Sequence, residues 1–227
     1  TLLDVVTGKT RPNEGSVTFR PKSKFQHDLT ALPQQTIAHL GVGRKFQTPN
    51  VFKSLTVLEN LRLALKAKRS VLASLMATFR SEGRDKIDEI ISMIGLSRKA
   101  NVKSGILAHG EKQWLELGML MAQDPELLLV DEPVAGMTPR ESERTGQLLI
   151  EMSKKHTLIV IDHDMAFVRQ IAQKVTVLHE GQTLCHGSVD EVQRDPKVIE
   201  VYLGDHKDEE EYSTHAPVVA SPRFATA

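Results

Sequence analysis

Cysteine is almost absent: Cys185 is the only one, so no internal disulfide can form. That fits a reducing compartment. Net charge is absent too, with 29 Lys and Arg against 29 Asp and Glu. A zero balance gives no electrostatic case for a nucleic-acid partner or an anionic membrane. Aromatic residues make up only 4%, and the one tryptophan, Trp114, falls in a helical apolar pattern that reads as packing rather than base stacking. No apolar run approaches a membrane span and no signal-peptide pattern opens the sequence, so a membrane role would need a partner rather than direct insertion. No internal repeat is visible. With 227 residues there is enough chain for one large domain or a core with a subdomain.

The most informative stretch present is Leu127-Leu128-Leu129-Val130-Asp131-Glu132-Pro133. Four apolar residues without a polar break read as a strand buried on both faces of a parallel sheet. Pro133 stops it, because proline cannot donate to a ladder. Asp131 and Glu132 then stand at the sheet edge where ligands bind in open α/β folds. This is the form of a Walker B strand, in which the first carboxylate holds Mg²⁺ and the second polarises the attacking water.

Thr1–Thr7 reads as the end of a helix stopped at Gly8. Gly8-Lys9-Thr10 fails as a phosphate loop, since G-x-x-x-x-G-K-[ST] needs a glycine where Leu3 stands, a strand before and a helix after. Ser16–Arg20 reads as a strand, residues 21–32 as irregular, and Pro33–Leu40 as a helix with proline at its first position. Gly41–Gln47 reads as a strand edge and loop. Thr56-Val57-Leu58-Glu59 is a capping box before an apolar helix face. Helical patterns follow at Val71–Phe79 and Ile87–Ile94, separated by the polar Ser81-Glu82-Gly83-Arg84, and at Lys112–Gln123, Arg140–Lys155 and Met165–Gln173. Thr157–Ile161 is a second buried strand. Val175–His179 and Thr183–His186 are two more, joined by a turn at Glu180-Gly181. Two short helices fill Val189–Leu203, and 205–227 reads as a disordered tail from its composition.

Taken in order, Gln47, Leu107–Glu111, Leu127–Glu132, Val134–Thr138 and His163 resemble the Q-loop, signature, Walker B, D-loop and switch histidine of ABC-transporter ATP-binding subunits. The resemblance covers 1–204. Gly43–Pro49, Lys112–Glu116 and Val192–Gly204 look like the branched-chain amino-acid importer class, closest to its urea-transporter ATPase. It implies an α/β fold, a P-loop NTPase-like (RecA-like), mainly parallel sheet core with an inserted helical subdomain. By that likeness 1–52 and 121–204 form the ATPase core and 53–120 the helical signature subdomain.

The resemblance also implies ATP and Mg²⁺ as ligands. Asp131 and Gln47 would hold the metal, and Glu132, His163 and Gln47 would serve catalysis. Thr1, placed just after the phosphate loop, would touch the nucleotide with Leu107, Ala108, His109, Gly110 and Glu111. Two departures stand out: Ala108 replaces a serine and loses a hydroxyl, and Glu111 replaces a glutamine and adds a negative charge near phosphate. The implied partners are a second ATPase subunit and polytopic permease subunits, at the cytoplasmic face of the inner or plasma membrane. The expected function is powering an importer for urea, short amides or branched-chain amino acids. The alternatives are a soluble non-transport ABC ATPase and a truncated, non-catalytic module, and the chain alone is expected to be a poor ATPase.

Overall fold

The structure, a computed structural model, describes residues 2–22, 25–45, 50–65, 81–203 and 218–221. It divides into two compact units, Thr1–Leu129 and Val130–Ala227.

In the first unit, helix α1 (Leu2–Val6) ends as expected at Gly8, whose φ is +72°. A Cβ there would meet the Ile37 side chain at 2.7 Å and the Leu32 carbonyl at 3.2 Å. Lys9 N–H donates to the Asp4 carbonyl at 2.8 Å, so Gly8-Lys9-Thr10 closes a helix and does not open one. Strands β1 (Thr18–Phe19) and β2 (His27–Asp28) pair antiparallel. Part of 21–32, expected to be irregular, is therefore ordered by pairing, and Asp28 caps a short 3-10 turn at Leu29–Ala31. Two-residue strands carry no period that a sequence can display. Pro33 is the cap of α2 (Gln34–His39) rather than its first residue. Strand β3 (Val42–Lys45) follows.

Helix α3 (Val57–Ala64) begins with the expected capping box, Glu59 N–H to the Thr56 hydroxyl at 3.2 Å and Thr56 N–H to the Glu59 carboxylate at 2.8 Å. The pattern at Val71–Phe79 lies outside the described residues. Helix α4 (Ser81–Met93) starts six residues before Ile87, so Ser81–Arg84 is its polar first turn and not a separator. Gly95, φ +69°, marks the stop. Helix α5 (His109–Ala122) starts three residues before Lys112. Strand β4 (Leu127–Asp131) is buried through Val130 and is shared between the units.

In the second unit, α6 (Pro139–Ser153), β5 (Thr157–Asp162), α7 (Met165–Ile171), β6 (Lys174–His179), β7 (Gln182–Gly187), α8 (Val189–Arg194) and α9 (Pro196–Leu203) follow the expected order. Glu180 and Gly181 both have positive φ, as a tight hairpin turn requires. Strand β8 (Val218–Ser221) lies between β5 and β6, antiparallel to both, pairing Ile161 with Val219 and Val175 with Ala220. Strands β5 and β6 are thus parallel to each other. The expectation of a disordered 205–227 fails at these four residues; the rest of the tail lies outside the described residues. Val218 and Val219 are good strand formers, but two residues do not shift the composition of a polar tail.

Candidate functional site

The end of β4 is held in an unusual backbone shape. Glu132 has φ +42°, a left-handed conformation that non-glycine residues rarely adopt. Its N–H donates to the Ile161 carbonyl at 2.8 Å, which ties this corner to β5. Such strain costs about 1 kcal/mol or more and persists where the surroundings fix it. Beyond it, Ala135 N–H and Met137 N–H donate to the Glu132 and Val134 carbonyls, and Thr138 caps α6 with Glu141. The expected D-loop stretch is therefore a compact turn between β4 and α6.

Strand β5 delivers His163 to the same corner. Asp164 caps α7 by accepting the N–H groups of Ala166 at 2.9 Å and Phe167 at 3.1 Å, so the backbone on the far side of His163 is pinned. His163 Nδ1 stands 3.9 Å from Glu132 Oε1 and 3.9 Å from Asp162 Oδ1. Both distances are too long for hydrogen bonds. The His163 and Glu132 side chains are 44% and 38% exposed, open to a substrate from solvent. Asp131 is half-buried at the strand end.

Asp162 was not singled out in the sequence. It is 2% exposed, its Oδ1 accepts the Asp164 N–H at 3.0 Å, and its Oδ2 has no hydrogen-bond partner among the described residues. Burial pushes its carboxyl above the ordinary range, partly offset by that N–H and by His163. The signal available in the sequence is the Asp-His-Asp run that closes a buried strand.

In the first unit, Leu107 is buried and follows a 3-10 turn at Ser104–Ile106. Ala108 is the N-cap of α5, His109 its exposed first residue, and Gly110 its buried second. Alanine has no acceptor, so no side chain caps the first amides. Only the return half of a capping box exists: Ala108 N–H donates to Glu111 Oε2 at 3.1 Å. Lys99 Nζ reaches both Glu111 oxygens, at 2.6 and 2.8 Å. The charge added by Glu111 is thus matched by a lysine twelve residues earlier. His109 Nε2 and Gln113 Nε2 are 3.4 Å apart. Thr1 and Gln47 lie outside the described residues.

Uncapped amides at a helix start favour an anion such as phosphate. Among the described residues no three His, Cys, Asp or Glu side chains converge as a metal cage. Mg²⁺ bound between phosphates, waters and one carboxylate needs no such cage, so Asp131 fits that role.

The ABC transporter family model matches residues 1–135, and the model described as branched-chain amino acid ATP-binding cassette transporter matches 182–208. The high-affinity branched-chain amino acid transport ATP-binding protein LivG of Escherichia coli is 35% identical, over 90% of this chain and 82% of that protein. BraF of Pseudomonas aeruginosa, of the same printed description, is 31% identical over 90% of this chain and 82% of that one. The solved ADP conformation of an ATP-binding cassette of an ABC transporter superposes with a TM-score of 0.72 at 30% identity, covering 89% of this chain and 82% of that chain. A dimeric post-hydrolysis cassette with ADP and phosphate, at 23% identity and a TM-score of 0.65 over 83% and 79% of the two chains, shares the fold. These matches and the α/β architecture agree: the chain belongs to the ABC transporter family of ATP-hydrolysing, ATP-binding subunits.

Proposed function

We propose that the chain is the ATPase subunit of an importer of the branched-chain amino-acid class, whose cargo is urea, a short amide or a branched-chain amino acid. The observation that carries the ATPase part is the corner at β4, where Asp131, Glu132 and His163 stand together in one unit. Asp131 would hold Mg²⁺, which would neutralise phosphate charge. Glu132 would orient the attacking water and accept its proton. His163 would contact the γ-phosphate, and Gln47 would join the metal or the water through its amide oxygen. Thr1 and Leu107–Glu111 complete the nucleotide contacts in this reading, the latter facing the nucleotide of a second subunit. The domain organisation that goes with it is a core of 1–52 and 121–204 around a helical subdomain of 53–120.

The cargo reading is supported by the likeness at Gly43–Pro49, Lys112–Glu116 and Val192–Gly204 and by the family match at 182–208. No helix among the described residues is long and apolar enough to cross a membrane, so polytopic permease subunits would hold the chain at the cytoplasmic face. Phe52, exposed at the start of the helical segment, is a candidate contact for them.

The alternative to be tested against it is a non-catalytic ABC module. Calorimetry with Mg-ATP, followed by phosphate release, separates the two. Micromolar binding with steady turnover supports the ATPase; neither supports the module. Turnover in a reconstituted transporter, stimulated by urea or by leucine, then decides the cargo.

A further inference from the structure

We propose that Glu116 is a positioning residue, which fixes both ends of the span carrying Gln47 to the helix that begins at the signature. Its functional meaning rests on the ATPase reading above; its geometry does not.

Glu116 lies in the middle of α5 and is 5% exposed. Burying a carboxylate costs several kcal/mol unless partners surround it. Two partners come from either side of one short span. Lys45, the last residue of β3, is 0% exposed, and its Nζ lies 4.0 Å from Glu116 Oε2, within reach as a charge pair but too far for a hydrogen bond. Asn50 N–H donates to Glu116 Oε1 at 3.2 Å. Residues 45 and 50 bracket 46–49, so one carboxylate holds the chain before and after Gln47.

The downstream side is gripped further. Phe52 N–H donates to Asn60 Oδ1 at 2.8 Å, and Asn60 Nδ2 donates back to the Thr56 carbonyl at 2.9 Å. The Ser104 hydroxyl donates to the Phe52 carbonyl at 2.9 Å. A simple core ion pair would not need this arrangement. Apolar residues of matching volume replace such pairs at little or no loss of stability. A charge pair whose acid also takes a backbone N–H from the adjoining loop has a positional job instead.

Gly110 and Glu116 are six residues apart on one helix, ~9 Å along its axis. A displacement at the signature end is therefore carried by α5 to Lys45 and Asn50. In the proposed function the signature serves the partner's nucleotide and Gln47 serves the subunit's own. Glu116 then connects the two nucleotide sites of the pair.

The test is amide exchange on the whole chain in two double variants. Lys45→Met with Glu116→Gln keeps an acceptor for Asn50; Lys45→Met with Glu116→Leu removes it. Neither leaves a stranded charge. The Asn50 amide should exchange ~10-fold faster in the leucine variant, while α3 and α5 amides differ by less than ~2-fold. Equal exchange at Asn50, or a uniform rise through both helices, overturns the proposal. Asn50→Pro removes the donor and leaves the core intact. Tryptic cleavage after the buried Lys45 should then quicken ~10-fold, and an unchanged rate overturns the proposal by an independent route. None of these readouts uses nucleotide. If Gln47→Ala leaves ATP turnover intact while the tether is present, it is the role of Gln47 that fails, not that of Glu116.

Discussion

At the end of β4 a carboxylate and an imidazole stand half-exposed, 3.9 Å apart, on a backbone corner bent to φ +42°. At the start of α5 the one carboxylate, Glu111, is turned back onto its own helix and matched by Lys99, and no side chain caps the first backbone amides. The first place works through side chains, so its residue types matter. The second, on the proposed reading, would work through the direction of its N–H groups, so its residue types are exchangeable as long as the helix starts where it does. On the proposed reading the departures at Ala108 and Glu111 thus fall where substitution is tolerated, and none falls at the β4 corner.

The strongest way to break that comparison is Glu132→Gln. In the assembled ATPase, turnover should fall ~100-fold or more, because the amide keeps the shape and loses the base. ATP binding by calorimetry should change little. Near-normal turnover would move the chemistry to His163.

Next in size is Asp162→Asn. The folded carboxyl is raised by burial, so the folded state favours its protonated form. That preference is complete below the ordinary carboxylate pKa and is lost as pH rises through the raised value. Asparagine stays neutral and can still accept the Asp164 N–H. The variant should melt ~2–4 °C higher at neutral pH, with the gap closing below about pH 4. A gap that does not depend on pH would show that Asp162 is not the titrating group.

Ala108→Ser sharpens the other side. A cap hydroxyl should stabilise α5 by about 0.5–1 kcal/mol, read as a shift of the urea midpoint. No shift would mean the amides already have a partner. The smallest effect belongs to Lys99→Met. Lys99 is nearly half exposed, so solvent screening limits the pair to less than ~1 kcal/mol. A larger loss in chemical denaturation would show that Glu111 depends on it.

The legible part of the fold was the part with period and punctuation. The run Leu127–Val130 has one physical solution, a strand buried on both faces, and Thr56-x-x-Glu59 has one use, a helix start. Helix α4 begins before its apolar period does, because Ser81–Arg84 is polar throughout and gives the sequence no apolar face to display. The corner at β4 was legible in residue types and not in shape: nothing in Asp131-Glu132-Pro133 announces a left-handed glutamate, which follows from the Ile161 carbonyl accepting its N–H. Partners distant in sequence were invisible. Lys99 for Glu111 and Lys45 for Glu116 are ordinary lysines until folding brings them together.

The place of Val218–Ser221 bears on how the protein is made. Val160 and Val175 share Ala220 as their neighbour in the sheet. A ribosome finishes β5 and β6 well before it reaches residue 221. At ~5–20 residues per second, the nascent chain holds two facing strand edges without their intervening strand for several seconds. Unpaired edges recruit other chains, so the second half of the sheet is open to mispairing until synthesis delivers the piece that fits between them.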